Sequence, residues 1–226
     1  MNWLFDLDDT LYSASTEFFA IVSKRITTHI AAELNLPWDE ARALQRTYWR
    51  QYGTSLRGLV LHHGLDPEAF FAAVHQGVPV EEHLVADAQV RDMLLRLPGR
   101  RFVFTNSPQE YAHRILSTLH LGDLFEQVFD VRAAGLVPKP DPQAYQRVLE
   151  AIGCEGSTCL MVDDNPQNLV TARRLGMRTV WLNSLASEAG QAVAQGERLV
   201  EEDEAAHLTI GSLLELEGAV RRASWL

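Results

Sequence analysis

Residues 5–12 read Phe5-Asp6-Leu7-Asp8-Asp9-Thr10-Leu11-Tyr12 and decide the fold, because two carboxylates two positions apart follow a short apolar run. That run, Asn2-Trp3-Leu4-Phe5, predicts a buried strand. Asp6 would then stand at the carboxyl end of the strand, which is the edge where open parallel α/β sheets bind ligands. We therefore expect the chemistry of this chain at Asp6 and Asp8.

The spacing of the two carboxylates suits a division of labour in phosphoryl transfer. A carboxylate attacks phosphorus when a divalent cation screens the charges, and we assign that role to Asp6. Asp8 would protonate the departing alkoxide and then deprotonate the water that splits the aspartyl-phosphate intermediate. Aspartates are also common in turns and helix caps, so this pair alone gives only a modest preference for function.

Two later segments offer groups that bind phosphate. The strand-like run Phe102-Val103-Phe104 ends in Thr105 and Asn106, whose hydroxyl and amide groups hydrogen-bond phosphate oxygens, and Pro108 marks a helix start. Further on, prolines on both sides stiffen the backbone around Lys139 and hold that lysine in place. A lysine in a surface loop is the commoner case when such a segment is taken by itself.

A third apolar run ends in the pair Asp163-Asp164 before another helix start. Together with Asp6 and Asp8, these carboxylates would repel one another strongly in a dry pocket. A divalent cation and Lys139 would relieve that repulsion. Hard oxygen ligands suit magnesium, so Mg²⁺ is the predicted cofactor, with these four aspartates as the candidate metal residues.

In this order, the four segments resemble the motifs of the haloacid dehalogenase (HAD) superfamily of phosphohydrolases, and the resemblance spans most of the chain. It implies an α/β fold, in which a Rossmann-like parallel sheet core carries an inserted α-helical (type 1) cap domain. It implies that Mg²⁺ is held by the Asp6 carboxylate, the backbone carbonyl of Asp8 and the late acids. A carboxyl group at Asp8 implies phosphatase or phosphomutase chemistry, since ion pumps and dehalogenases of this superfamily differ there. The implied roles are nucleophile for Asp6, general acid/base for Asp8 and phosphate binding for Thr105 and Lys139, while Asn106 stays a phosphate-binding candidate through its amide group.

An excursion of roughly 75 residues separates the first two motifs, which is too long for an ordinary loop. Its apolar residues recur at helical spacing and predict four or so short helices over residues 15–84. The predicted domains are therefore a core of residues 1–13 and 86–226 and a cap of residues 14–85. The core is predicted to contain helices 87–97, 108–119, 141–152 and 165–175, strands 101–105, 127–130, 159–163 and 178–182, acidic turns near 201–204, an edge segment near 207–210 and a closing helix.

The segment Thr47–Gly53, followed by Leu56–His63, resembles the cap of the pyrimidine 5′-nucleotidase group. That resemblance implies a pyrimidine nucleoside 5′-monophosphate, UMP or CMP, as the substrate. Aromatic side chains four apart on one helical face would stack on a base, although such residues more often pack in a core. Tyr12 lies just past the nucleophile and is expected near the entrance. The candidate cap contacts are Tyr48, Tyr52, Arg57 and His62.

Composition limits the class of protein and its partners. The chain has 226 residues, 46% of them hydrophobic and 22% charged, which suffices for a substantial core in one or two domains. Its formal charge of −10 argues against nucleic-acid polymers and anionic membranes as partners, but allows a small phosphorylated metabolite such as a nucleoside monophosphate. No apolar stretch has transmembrane length, so we expect a cytoplasmic monomer or homodimer. Cys154 and Cys159 are expected to be reduced thiols.

Three alternatives to the nucleotidase stay open. The first is a broader phosphatase for small metabolites such as sugar phosphates, phosphoglycolate or pyridoxal phosphate. The second is a phosphomutase, which shares the same core but must retain its product. The third is a catalytically inactive regulatory binding protein, against which the intact set of motif residues argues.

Overall fold

Six parallel strands form one sheet in this computed structural model, which describes residues 1–13, 16–183, 204 and 206–226. The strand order is β3-β2-β1-β4-β5-β6, so β1 lies at the centre between β2 and β4, as predicted. The strands are β1 (Asn2–Phe5), β2 (Arg100–Phe104), β3 (Gln127–Phe129), β4 (Cys159–Asp163), β5 (Arg178–Leu182) and β6 (Leu208–Ile210).

The sheet is apolar on each face, which is why its strands appear in the sequence as continuous apolar runs. Along β1, Trp3 and Phe5 face one hydrophobic cluster, whereas Leu4 faces the other. All three side chains are fully buried. This alternation places helices on each side of the sheet and confirms the predicted Rossmann-like α/β core.

Five helices lie between β1 and the helix that precedes β2, where the sequence predicts four or so. The extra one is the single turn α5. The helices are α1 (Thr16–Leu34), α2 (Trp38–Tyr52), α3 (Ser55–His63), α4 (Pro67–His75) and α5 (Val80–His83), followed by α6 (Ala88–Arg96). Helices α1 to α4 enclose a third hydrophobic cluster of their own, centred on residues such as Ile30, Leu59 and Val74. Assigning residues 14–85 to a separate cap domain stays a prediction.

Three further helices fall within one residue of their predicted bounds at each end: α7 (Gln109–Thr118), α8 (Pro142–Ile152) and α9 (Pro166–Arg174). The closing helix, which the sequence predicts without bounds, is α10 (Leu216–Arg222). Their starts follow the expected chemistry, because Asp141 and Asn165 cap α8 and α9 through their side chains and a proline follows each cap. Of the acidic turns expected near 201–204, residues 201–203 lie outside the described residues.

The helical insertion comes close to the carboxyl edge of the sheet at the end of α2. Gly53 ends that helix with a positive φ of 78°, and a Cβ there would lie 2.3 Å from the carbonyl oxygen of Lys139. Only glycine fits a left-handed turn this close to another backbone. Val131, from the loop after β3, joins the hydrophobic cluster of the insertion. These contacts bring α2 beside the predicted catalytic lysine.

Two remaining sequence expectations concern thiols and membranes. Cys154 and Cys159 are free, with their sulfur atoms 3.2 Å apart. Among the described residues, none of the helices combines the length and the apolar character needed to cross a bilayer.

Candidate active site

A cluster of buried carboxylates lies at the carboxyl ends of β1 and β4. Asp6, Asp163 and Asp164 offer oxygen atoms that all lie within 4.8 Å of one another. The Nζ atom of Lys139 lies 2.6 Å from Oδ1 of Asp6 and 2.8 Å from Oδ2 of Asp163, and the lysine side chain is only 1% exposed. The structure therefore brings together four of the residues that the sequence predicts for catalysis.

The loop that carries Lys139 is fixed by Asn106. The Asn106 side chain accepts a hydrogen bond from the backbone N–H of Lys139 at 2.8 Å and donates one to its carbonyl at 3.1 Å. Thr105 is buried, and its Oγ1 accepts a hydrogen bond from the backbone N–H of Ser107 at 3.0 Å. In this arrangement the Asn106 amide positions the lysine, and phosphate binding by Thr105 and Asn106 stays a prediction.

Asp8 stands apart from the carboxylate cluster and is held by two hydroxyl groups. Tyr12 donates a hydrogen bond to Oδ1 at 2.5 Å, and Ser107 donates one to Oδ2 at 2.8 Å. Burial raises the pKa of Asp8, while the hydrogen bonds from Tyr12 and Ser107 favour the charged form and limit the rise. A carboxyl group with an elevated pKa is suited to exchange protons near neutral pH. The sequence indicated Tyr12 near the entrance but gave no sign of the bond from Ser107.

Asp163 and Asp164 are held by partners that the sequence analysis missed. Nδ2 of Asn168 lies 3.0 Å from each carboxylate oxygen of Asp163. The backbone N–H of Asp164 donates to Oγ1 of Thr10 at 3.2 Å, which ties β4 to the loop after β1. Asn168 lies in the first turn of α9, five residues after Asp163, and that spacing past a strand end is the signal that could have identified it.

The electrostatics of the cluster fit a divalent cation. Burial raises the pKa of Asp6 to about 8, with Lys139 opposing the rise and Asp163 adding to it. Burial likewise raises the pKa of Asp164, and the neighbouring Asp163 and Asp6 carboxylates raise it further. One buried lysine cannot neutralise three carboxylates, so the fully ionised cluster requires more positive charge. Oxygen donors alone are the set that magnesium prefers.

A cavity of about 320 Å³ opens beside Asp8 and extends under the helical insertion. One stripe of α2, formed by Arg42, Arg46, Trp49 and Gly53 at successive helical turns, lines it. The other walls come mainly from α1, α4, the start of α3 and the loop after β2, with one residue from the loop after β3. Their apolar residues are Phe18, Phe19, Val22, Ile26, Leu56, Phe70, Phe71 and Val131.

None of the four cap residues predicted from the sequence lines this cavity. Tyr48 is buried, and its hydroxyl lies 2.8 Å from Nε2 of His63. The Tyr52 hydroxyl lies 2.6 Å from Nε2 of His62, whose ring also stacks on Tyr48. Arg57 is on α3 and does not line the cavity either. The two tyrosines therefore join α2 to α3, because they lie on the helical stripe next to the one that faces the cavity.

His75 borders the cavity from the end of α4 and makes the unfolding free energy depend on pH. Burial lowers its pKa to about 4, Arg25 and Arg132 lower it further, and the Phe71 backbone and Glu110 oppose the shift. The unfolded chain therefore binds more protons between pH 6.5 and pH 4, so stability falls as the pH falls through that window.

Because of this histidine, we expect the unfolding free energy of the wild type to fall by up to about 2 kcal/mol between pH 7.5 and pH 5. His75→Phe should remove this loss. Urea unfolding of the wild type and the variant at the two pH values measures the difference. His113→Gln, on an exposed position of α7, serves as the control. Equal losses in the wild type and in His75→Phe would contradict the expectation.

Comparison with known proteins supports the fold and identifies the family. Residues 3–176 match the profile of the haloacid dehalogenase-like hydrolase family. Phosphate metabolism protein 8 of Saccharomyces cerevisiae is 26% identical over 77% of this chain and 59% of its own length. Validoxylamine A 7′-phosphate phosphatase of Streptomyces hygroscopicus subsp. limoneus is 24% identical over 88% of the chain and 92% of its own length. A solved HAD family hydrolase from Deinococcus radiodurans R1, with bound phosphate and sodium, superposes with a TM-score of 0.59 at 19% identity, covering 100% of this chain and 96% of that one.

The chain therefore has a parallel α/β fold with buried carboxylates and a lysine gathered at the carboxyl edge of its sheet. The chain belongs to the haloacid dehalogenase-like hydrolase family, since the profile covers well over half of it. Its relatives include proteins named as phosphatases. The chain spans only 59% of the yeast relative's length, so that protein's activity is not transferred to it.

Proposed function

We propose that this chain is a magnesium-dependent phosphomonoester hydrolase that works through an aspartyl-phosphate on Asp6. The observation that carries the proposal is the placement of Asp6 against Lys139, with Asp8 in the wall of the cavity of about 320 Å³. Phosphatase names among the relatives support the same reaction class.

Each side chain has a distinct task in the proposed reaction. Asp6 attacks phosphorus, while Lys139 neutralises the charge of the phosphoryl oxygens. Asp8 borders the cavity, so it is placed to give a proton to the oxygen of a leaving group seated there. It then accepts a proton from the water that releases phosphate. Mg²⁺, held by Asp6, Asp163 and Asp164, would supply charge stabilisation on the phosphoryl oxygens.

The leaving alcohol is the open part of the proposal. The pyrimidine nucleoside 5′-monophosphate reading rests on the segment around Tyr48 and Tyr52, and the contacts of these tyrosines are within the helical insertion. The broader reading, a phosphatase for other small phosphorylated metabolites, draws support from relatives with dissimilar substrates in their names. We therefore place the broader phosphatase first and keep UMP and CMP as specific candidates.

The remaining alternatives have less support. A phosphomutase must hold and turn its product, and no feature of the cavity walls favours that over release. The inactive regulatory protein conflicts with the intact set of Asp6, Asp8, Lys139, Asp163 and Asp164. A cytoplasmic location and a monomeric or homodimeric state complete the proposal.

Phosphate release from a substrate panel tests the proposed function. The panel contains p-nitrophenyl phosphate, UMP, CMP, AMP, GMP, sugar phosphates, phosphoglycolate and pyridoxal phosphate. We expect release with Mg²⁺ and a fall of about 10³-fold with chelator, since the cation supplies several kcal/mol of charge stabilisation. Preference for UMP and CMP would establish the nucleotidase. No release from any member would overturn the proposal and favour the regulatory protein.

A further inference from the structure

We infer that the preferred substrates are phosphomonoesters of apolar alcohols that carry a second anionic group, which Arg42 and Arg46 bind at the far end of the cavity. The inference rests on the proposed phosphatase function and names the class of leaving group. Three independent features of the cavity carry it: the hydrogen bonds already made by its polar groups, the unpaired arginines and the distance along α2.

The polar groups of the cavity wall are mostly bonded to the protein itself. Ser107 donates to Asp8, Asn106 binds Lys139, and Ser55 donates to the backbone carbonyl of Gln45. The Gln45 side chain accepts a hydrogen bond from Thr27 and donates one to Ser23. Among the described residues, His75 Nδ1 is a buried wall atom without a hydrogen-bond partner.

This wall would bind a sugar poorly. A polyhydroxylated leaving group would lose its hydrogen bonds to water and find few replacements in this wall, which weakens its binding. An alkyl or aromatic group would instead bury its surface against phenylalanine, valine and isoleucine side chains. The wall therefore favours an apolar leaving group over a hydrophilic one.

Arg42 and Arg46 are the exception to this apolar lining. They are exposed residues one helical turn apart on the cavity face of α2, and neither is bonded to another residue in the part of the chain that the structure describes. Two arginines on other elements that border the insertion are paired, Arg114 with Glu81 and Arg132 with Glu68. Two like charges at this spacing repel slightly, so an anion between them would be stabilising.

The helix also sets the distance between the two anions. Gly53, at the end of α2, abuts Lys139, and Arg46 and Arg42 precede it by seven and eleven residues. At a rise of 1.5 Å per residue, the Cα atoms of Arg46 and Arg42 lie about 10 and 16 Å along the helix axis from Gly53. A straight chain of eight methylenes is on the order of 10 Å long, given C–C bonds of about 1.5 Å. Phosphoglycolate is too short to bridge this distance.

Two matched substrates test the inference. The chain of octyl phosphate would pack against the apolar wall. 8-Carboxyoctyl phosphate adds a carboxylate at the end of that chain, where it would reach Arg42 and Arg46. We expect the carboxylated ester to have a lower KM, and the double variant Arg42→Gln/Arg46→Gln to raise that KM roughly tenfold while changing octyl phosphate less than twofold. Lys24→Gln/Arg222→Gln removes the same charge from exposed positions and should leave each substrate unchanged.

The outcomes are distinct. An equal rise in KM for the two esters would show that the arginines only attract phosphate to the site, and would overturn the second-anion contact. A higher kcat/KM for ribose 5-phosphate than for octyl phosphate would overturn the apolar leaving group. Hydrolysis of p-nitrophenyl phosphate, measured alongside, establishes the proposed phosphatase whichever result is found. If p-nitrophenyl phosphate is also inert, the proposed function fails and this inference with it.

Discussion

Substitution of Asp6 by asparagine is expected to lower phosphate release by roughly 10⁴-fold or more, because an amide cannot form the acyl-phosphate bond. The size of the side chain is kept, so the packing at the end of β1 is retained. Lys139 keeps Asp163 as a carboxylate partner at 2.8 Å, and one charge is removed from a crowded buried cluster. We therefore expect the variant to unfold cooperatively, with an unfolding free energy within about 2 kcal/mol of the wild type.

Two measurements separate the loss of the nucleophile from loss of structure. Steady-state release of phosphate from p-nitrophenyl phosphate gives the activity, and mass spectrometry of acid-quenched protein detects a phosphoryl adduct in the wild type alone. Asp92→Asn makes the same change on an exposed position of α6 and should leave activity unaltered. Turnover at wild-type rates in Asp6→Asn would remove Asp6 from the proposed role.

The sheet and its catalytic edge could be predicted from the sequence because strong local patterns coincide there. Each central strand is an apolar run that ends in a polar group, and the carboxyl ends of parallel strands necessarily meet at one edge. Asp6, Lys139, Asp163 and Asp164 were therefore expected together, and the structure places them together. The helix starts at Asp141 and Asn165 could also be predicted from neighbouring residues, since a proline follows each capping residue.

The cavity wall could not be predicted in the same way, because it depends on how α2 is rotated. Successive residues of a helix point about 100° apart, so a shift of one position exchanges the packed face for the cavity face. Tyr48 and Tyr52, the predicted substrate contacts, belong to an apolar stripe of α2 that packs on α3. The adjacent stripe, with Arg46 and Trp49, lines the cavity.

Hydrogen-bond partners of the predicted catalytic residues that are distant in the chain could not be predicted from the sequence either. Ser107 and Asp8 are separated by 99 positions, and no local pattern links a serine after one strand with an aspartate after another. Asn168 is closer to Asp163 in sequence, but its contact depends on the first turn of α9 folding back over the strand end. These side chains position the predicted catalytic groups, and only the tertiary structure identifies them.

Substitution of Lys139 by methionine should have the largest effect on stability, together with a loss of activity of about 10³-fold from the missing phosphate contact. Burial alone would lower the pKa of Lys139, but the Asp163 and Asp6 carboxylates outweigh it and raise the pKa, so the lysine is charged. Methionine fills a similar volume but leaves three buried carboxylates without a cation among the described side chains. Removing one partner of a buried ion pair costs about 3–5 kcal/mol, and we expect that loss at neutral pH without metal.

The dependence of this loss on pH and on Mg²⁺ distinguishes lost charge from lost packing. Burial holds the pKa of Asp6 at about 8 in the wild type with Lys139 present, and removal of the lysine raises that pKa further. Asp6 stays protonated up to about pH 8 in the wild type and to a higher pH in the variant, so the variant's deficit in unfolding free energy should grow as the pH rises through 8 and be smallest in acid. Mg²⁺ would supply charge to the same cluster, so it should stabilise Lys139→Met more than the wild type. Urea unfolding at pH 5 and pH 9, with and without Mg²⁺, measures each effect, and the exposed Lys24→Met is the matched control. A deficit that is the same at each pH and unchanged by Mg²⁺ would mean that Lys139 contributes packing rather than charge.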